Sequence, residues 1–198
     1  MHAADGAGGD RLGDILAGVA RTPLEKAPFF ASKASGLLAT PIESRGTLSF
    51  DTKGRIEKHT LTPIDERVTI TDKAVRIEQP GKPADELLVA DNPALAAYAQ
   101  GLRAVLAGDP APLREHFDVE VGGNVGQWTI ALQPKRLKMQ AAVQRIVITG
   151  ANGLIQRIET TDGAGDVETL SVLVAPPASP AASPAVSPPV STPASPRR

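Results

Sequence analysis

The sequence has 198 residues, a formal net charge of −1 and no cysteine. This length fits one domain with a substantial core, and the near-neutral charge gives no bias towards nucleic acid or an anionic membrane. The absence of cysteine excludes a disulfide framework, a zinc site with thiolate ligands and catalysis by a thiol.

The two ends of the chain differ in composition from its middle. Residues 1–9 are rich in Gly and Ala, which predicts a flexible N-terminus, and they lack the apolar run of a signal peptide. Residues 175–198, APPASPAASPAVSPPVSTPASPRR, predict a disordered or polyproline-like tail, either simply solvated or acting as a spacer or docking peptide. The folded domain is therefore expected to span residues 10–174.

Helical periodicity first occurs in DRLGDILAGVAR. Asp10 is a plausible N-cap, and the apolar residues that follow have the spacing of one helix face: Leu12, Ile15, Leu16 and Val19. A second helix is predicted from Asn92-Pro93 to a stop at Gly108, with the apolar stripe Leu95, Tyr98, Leu102, Val105 and Leu106. A short helix is expected to follow around APLREHF.

The remaining segments read as strands separated by turn residues. Eleven are predicted, at residues 29–38, 43–51, 55–62, 67–71, 74–79, 85–90, 117–121, 126–134, 143–150, 154–161 and 167–174. Asn152-Gly153 and Asp162-Gly163 are hairpin signals that join the last three strands into a meander. Such short connections allow antiparallel pairing and exclude parallel crossovers.

This arrangement of elements predicts an α+β fold. A single antiparallel sheet of about eleven strands must curl, because twist accumulates from strand to strand. The result is an incomplete β-barrel, and we expect the amphipathic helices to cover its concave face and bury their apolar stripes there.

The search for catalytic motifs finds no candidate. The sequence contains no G-x-S-x-G, no Walker A loop and no H-E-x-x-H, and VGGNVG lies between two predicted strands as a hairpin turn. His59 and His116 are interpreted as surface residues, and Lys135, Arg136 and Lys138 as a solvated basic patch without an aromatic platform. We therefore predict no enzymatic activity, no metal and no cofactor.

The inward-facing residues of the strands form the main candidate surface. Only 3% of residues are aromatic, so this surface is largely aliphatic, and either a filled core or a ligand cavity agrees with its periodicity. The candidates are Leu48, Phe50, Val68, Ile70, Val75, Ile77, Leu87, Val89, Trp128, Ile130, Leu132, Ile146 and Ile148.

Several stretches, taken together and in order, resemble the LolA-type periplasmic lipoprotein carriers. SRGTLSFDTKGRIEK followed by VTITDKAVRIEQ is similar to the family's first hairpins. LREHFDVEV and QWTIALQPK resemble its block ending in Pro-Lys, and QRIVITGANGLIQRIETTDGAGDVETLSV resembles its closing meander. The resemblance covers about residues 10–174.

The resemblance implies a monomeric, non-enzymatic carrier of acyl chains in the periplasm of a Gram-negative cell, its signal peptide absent from this sequence. The cargo would be a lipoprotein or another acylated lipid, received from an inner-membrane donor and passed to an outer-membrane acceptor. The inward-facing set above would line the lipid cavity. The helical stripes would form its lid, namely Leu12, Ile15, Leu16, Val19, Leu95, Tyr98 and Leu102.

One departure from the family pattern concerns the attachment of the lid. The carriers have an arginine before a proline on the second strand, whereas this chain has Asp51-Thr52-Lys53 there, with Arg55 close by.

Two other functions remain open. One is a periplasmic adaptor or regulator that binds protein on a half-barrel surface. The other is an enzyme with an unrecognised site.

Overall fold

The computed structural model describes residues 10–51, 54–91 and 93–173, without the side chains of residues 93–98. Its helices are α1 (Arg11–Ala20), α2 (Pro93–Ala107), α3 (Pro110–His116), α4 (Leu137–Gln140) and a 3-10 turn at Val89–Asp91. Its strands are β1 (Leu24–Ala34), β2 (Ile42–Phe50), β3 (Ile56–Thr62), β4 (Glu66–Ile70), β5 (Ala74–Glu78), β6 (Asp85–Leu88), β7 (Phe117–Asn124), β8 (Gln127–Pro134), β9 (Val143–Ala151), β10 (Leu154–Asp162) and β11 (Val167–Val172). The predicted flexible N-terminus (1–9) and tail (175–198) lie outside the described residues.

All eleven strands belong to one antiparallel sheet with the order β6-β5-β4-β3-β2-β1-β11-β10-β9-β8-β7. The first strand therefore pairs with the last in the middle of the sheet, where Ala31 lies opposite Leu170. β6 and β7 are consecutive strands in the sequence, but they form the two opposite edges of the sheet. The connection between them contains α2 and α3. The α+β prediction of one curled, incompletely closed sheet with helices on its concave face is confirmed.

Turn chemistry explains why the predicted hairpins form. Asn152 and Gly153 both have positive φ values, 50° and 80°, which suits the two-residue turn between β9 and β10. The connection from β10 to β11 is longer, and the Asp162 carboxylate accepts backbone hydrogen bonds from Ala164 and Asp166 at 2.9 and 3.0 Å. Desolvation raises the pKa of Asp162, but these two bonds and the nearby Lys33 ammonium outweigh it, so the net shift is downward.

Several elements differ from the sequence-based prediction. The strand predicted over 85–90 ends at Leu88, where a 3-10 turn begins, and β7 continues to Asn124, so residues 122–124 pair with β8 and do not form the predicted turn. The first strand runs from Leu24 to Ala34 and not over 29–38, because a bulge between Leu24 and Ala27 extends it and a turn ends it before the exposed Leu37. The one-turn helix α4 was not predicted, since its only buried residue, Met139, stands alone between polar neighbours.

The helices fill one part of the concave face. α1 packs against α2, α3, β7 and β10, while α4 lies against β8 and β9. The apolar stripe of α1 is buried in the continuous core that the inward residues of β7–β10 also form. The part of the concave face near β2–β4 is covered by α2 and is less completely filled.

Candidate functional site

Strand alternation and register bring six side chains of β2, β3 and β4 to the concave face. Leu48, Lys58 and Val68 lie opposite one another across the three strands. Phe50, Ile56 and Ile70 form a second such row, two residues away along each strand. Since cross-strand partners share a face, both rows point towards α2.

A cavity of about 240 Å³ lies between these strands, α2 and the strands β9–β11. Twelve of its fifteen lining residues are apolar, and α2 contributes the roof. The apolar residues are Leu48, Phe50, Ile56, Val68, Ile70, Leu102, Val105, Leu106, Ile148, Ile155, Ile158 and Leu170. Its volume is below the roughly 300–1,000 Å³ of pockets that enclose drug-sized ligands, so the space fits a single apolar chain.

Three polar residues complete the lining: Lys58, Thr160 and Glu168. The Lys58 ammonium donates to the Glu168 carboxylate at 2.7 Å, and it also lies 5.5 Å from the centre of the Phe29 ring. The wall of the cavity is therefore mostly apolar and contains one ion pair.

The structure places five of the predicted cavity residues in this lining: Leu48, Phe50, Val68, Ile70 and Ile148. Four others are almost completely buried in the packed core, and none of them is among the lining residues: Trp128, Ile130, Leu132 and Ile146. The rest lie towards β6, where Val75 and Val89 are buried, Ile77 is half-buried and Leu87 is 45% exposed.

The predicted lid residues also separate into groups. Leu102 of α2 lines the cavity. The predicted lid residues of α1 are core residues that hold α1 against the sheet, and they do not line the cavity: Leu12, Ile15, Leu16 and Val19. The side chains of Leu95 and Tyr98 lie outside the described part of the chain.

Sequence reasoning missed nine lining residues, and some had a usable signal. Val105 and Leu106 continue the α2 stripe, and Ile56 and Lys58 share a face by simple alternation. Ile155 and Ile158 are three residues apart and still line the same cavity, because the register of β10 with β9 shifts between Ile155 and Arg157. Simple alternation would place them on opposite faces. The other three missed residues are Thr160, Glu168 and Leu170.

A side-chain hydrogen bond attaches the roof of the cavity to the sheet. Arg103 Nε on α2 donates to the backbone oxygen of Gly54, between β2 and β3, at 2.8 Å. Gly54 has a φ of 78°, so glycine suits the conformation that presents this oxygen. The Asp51-Thr52-Lys53 segment precedes this contact, and its residues 52–53 lie outside the described chain.

A histidine–carboxylate contact lies away from the cavity. His59 Nε2 lies 2.8 Å from Asp65 Oδ1, on the face of the sheet opposite the cavity. Within residues 10–51, 54–91 and 93–173 no group of three or more His, Asp or Glu side chains is arranged to hold a metal ion. None of the helices described in this chain is long and apolar enough to cross a membrane.

The solved structures to which this chain is similar include three proteins of low sequence identity. The LolA superfamily protein NE2245 from Nitrosomonas europaea is 10% identical, with a TM-score of 0.42 over 85% of this chain and 96% of that one. MucB is 16% identical, with a TM-score of 0.40 over 84% and 59%. LprF from Mycobacterium bovis is 10% identical, with a TM-score of 0.29 over 84% and 93%.

Comparison with family models and with curated protein sequences gives the family of this chain. Among curated protein sequences, none matches this chain. The model of the family described as outer membrane lipoprotein carrier protein LolA-like matches residues 4–192, which is nearly the whole chain. The chain therefore belongs to the LolA-like family.

Proposed function

We propose that this protein binds the acyl chain of a lipoprotein or another lipid in the cavity beneath α2 and carries it through the periplasm from the inner towards the outer membrane. The observation that carries the proposal is the apolar cavity between the sheet and α2 in a chain of the LolA-like family. An inner-membrane donor and an outer-membrane acceptor would complete the route, with the protein acting as a monomer and catalysing no reaction.

The physical problem of such a carrier is to hold an acyl chain without trapping it. Burial stabilises each methylene by about 0.8 kcal/mol, so a long chain in a rigid dry cavity would leave very slowly. In this protein the roof residues Leu102, Val105 and Leu106 already occupy part of the concave face. Cargo longer than the cavity must displace them, so the net affinity is the difference between two burials.

The attachment of α2 suits this exchange. Its bond from Arg103 to Gly54 is one hydrogen bond at the margin of the cavity, and a bond from a charged donor contributes roughly 1.5–3 kcal/mol. α2 is also packed against α1, α3 and α4, so we expect a longer chain to displace its cavity-facing side chains.

A binding experiment tests the proposal. The delipidated protein is titrated with N-phenylnaphthylamine, a neutral dye whose fluorescence rises in apolar surroundings, and we expect saturable binding. Val68→Phe places a larger side chain in the cavity and should weaken binding about tenfold, because room for two or more methylenes is lost. The matched control Val147→Phe enlarges a β9 residue on the opposite face, and it should leave the affinity nearly unchanged.

Absence of saturable dye binding by the folded protein would contradict the carrier proposal. Equal affinity for the two phenylalanine variants would show that the dye binds elsewhere.

A protein-binding adaptor is the second candidate, and the edge strand β6 is the observation that favours it. All four of its residues are exposed, including Leu87 and Leu88, and it forms one end of the sheet. Exposed apolar edges of this kind accept an extended peptide as an added strand. A folded protein that binds no apolar dye would make this role the better explanation.

A further inference from the structure

The cavity contains one feature that the binding of a plain acyl chain does not use. Lys58 and Glu168 are the two charged residues in its lining, and their 2.7 Å contact joins β3 to β11. Their side chains are 28% and 38% exposed, so the pair lies where the apolar cavity meets water.

The pair reaches across the concave face. In the sheet order, β2 and β1 lie between β3 and β11, and three strand spacings measure roughly 14 Å along a sheet. Two side chains can close this gap because the sheet is curved. The ion pair therefore spans the opening above the apolar floor.

The two partners are not equivalent in their surroundings. Lys58 lies between the apolar partners Leu48 and Val68, and its ammonium has the Phe29 ring as a second contact at 5.5 Å. Glu168 lies opposite Lys33 of β1 in the ladder, and the Lys33 ammonium is paired with Asp162 and Asp166 at 3.4 and 3.7 Å. An incoming anion at Lys58 would leave Glu168, the more exposed of the two, in contact with water, whereas an incoming cation at Glu168 would leave Lys58 among apolar side chains.

We propose that Lys58 binds the anionic headgroup, a carboxylate or a phosphate, of a single-chain amphiphile whose tail fills the cavity. Glu168 holds the Lys58 ammonium when the cavity is empty and is displaced when the headgroup arrives. This inference rests on the proposed function, because it requires an apolar chain in the same cavity, and the volume of about 240 Å³ limits that chain to one.

The test is a calorimetric titration of the delipidated full-length protein with dodecanoate, dodecyl phosphate, dodecanol and dodecyltrimethylammonium at low salt. These ligands share one tail and differ in the headgroup. We expect the protein to bind dodecanoate or dodecyl phosphate about three- to tenfold more tightly than dodecanol, with the difference shrinking at high salt. Preference for the carboxylate points to a free fatty acid, and preference for the phosphate points to a lysophospholipid headgroup.

Substitutions assign the preference to the ion pair. Lys58→Met keeps an apolar side chain of similar length and should abolish the preference for the anion while dodecanol still binds. Glu168→Gln removes the competitor of the headgroup and should increase the affinity for the anion two- to fivefold. Arg67→Met is the matched control, since it removes one positive charge from β4 on the opposite face, and it should preserve the preference.

Three results would overturn the inference. They are equal binding of dodecanoate, dodecyl phosphate and dodecanol, tighter binding of the trimethylammonium ligand, or an equal effect of Arg67→Met and Lys58→Met. In each case the tails still bind, so the carrier proposal stands. Failure of all four ligands to bind the folded protein would instead reject the carrier proposal itself.

Discussion

At the scale of single residues, Gly150 explains why Trp128 is a core residue. The two lie opposite each other in the β8–β9 ladder, and a Cβ atom on Gly150 would come within 2.8 Å of Trp128 Cε2. The indole therefore lies flat over a position that has no side chain. Its Nε1 is buried without a hydrogen-bond partner among the described residues, and its ring is 1% exposed.

This contact predicts a large effect for a small change. Gly150→Ala would press the added Cβ against the backbone oxygen of Leu154 and against the indole, and we expect the free energy of unfolding to fall by about 1–3 kcal/mol in urea denaturation. Gly36→Ala is the control, because Gly36 has no atom within 4 Å of an added Cβ, and its effect should stay within about 0.5 kcal/mol. Equal stability of the two variants would mean that Trp128 has room to move.

At the scale of elements, the two long helices have similar apolar stripes but different environments. α1 is packed between α2, α3, β7 and β10, so its stripe is part of the permanent core. α2 forms the roof of the cavity with Leu102, Val105 and Leu106. These α2 residues also belong to the buried core, so α2 differs from α1 in that its buried stripe borders the cavity as well.

The bond between Arg103 and Gly54 makes this distinction testable. Arg103→Met keeps the apolar stem and removes the hydrogen bond, so amide hydrogen exchange in residues 99–107 should become roughly tenfold faster or more. Exchange in α1 should remain unchanged. Mass spectrometry of the exchanged peptides gives both rates in one experiment.

A second arginine provides the control for this helix. Arg114 lies on α3 and forms an exposed ion pair with Asp10, which precedes α1. Arg114→Met removes this pair, and amide hydrogen exchange in residues 99–107 should not change. If Arg103→Met also leaves α2 exchange unchanged, the bond does not hold the roof in place.

At the scale of the whole molecule, the sheet is wider than its helices can fill. α1, α3 and α4 pack over β7–β10, while the region near β2–β4 is left to α2 alone. β1 pairs with β11 in the middle of the sheet, so the first and last strands of the chain are neighbours. The last backbone hydrogen bond among the described residues runs from Leu173 N to Pro28 O. The folded unit that we propose therefore ends close to residue 174.

Removal of the Pro/Ala/Ser-rich segment tests this boundary. Deletion of residues 175–198 should leave the melting temperature unchanged, since a segment of this composition has little apolar surface to bury. A longer deletion, of residues 170–198, removes Leu170 and Val172 from the central strand and should prevent folding. A lower melting temperature for the shorter deletion would show that the segment packs on the domain.

Local patterns account for most of the fold. Alternation and turn residues were enough to predict eleven strands and their hairpins, because a turn such as Asn152-Gly153 sets the pairing of the strands beside it. Helix periodicity likewise predicted α1 and α2, and a short helix was expected where α3 lies. The predicted N-cap Asp10 makes no side-chain capping hydrogen bond, and the predicted cap Asn92 lies outside the described residues. These signals act over a few residues, so one sequence reveals them.

The cavity depended on tertiary structure. Trp128 and Phe50 are both inward-facing by alternation, yet one meets the helices and the other meets open space, because packing decides which part of a curved sheet the helices fill. The Lys58–Glu168 pair joins residues 110 positions apart, and curvature alone brings them together. The sequence by itself therefore determined the strands, the hairpins and the inward face, whereas only the folded sheet decided where that face stays empty and which charges border it.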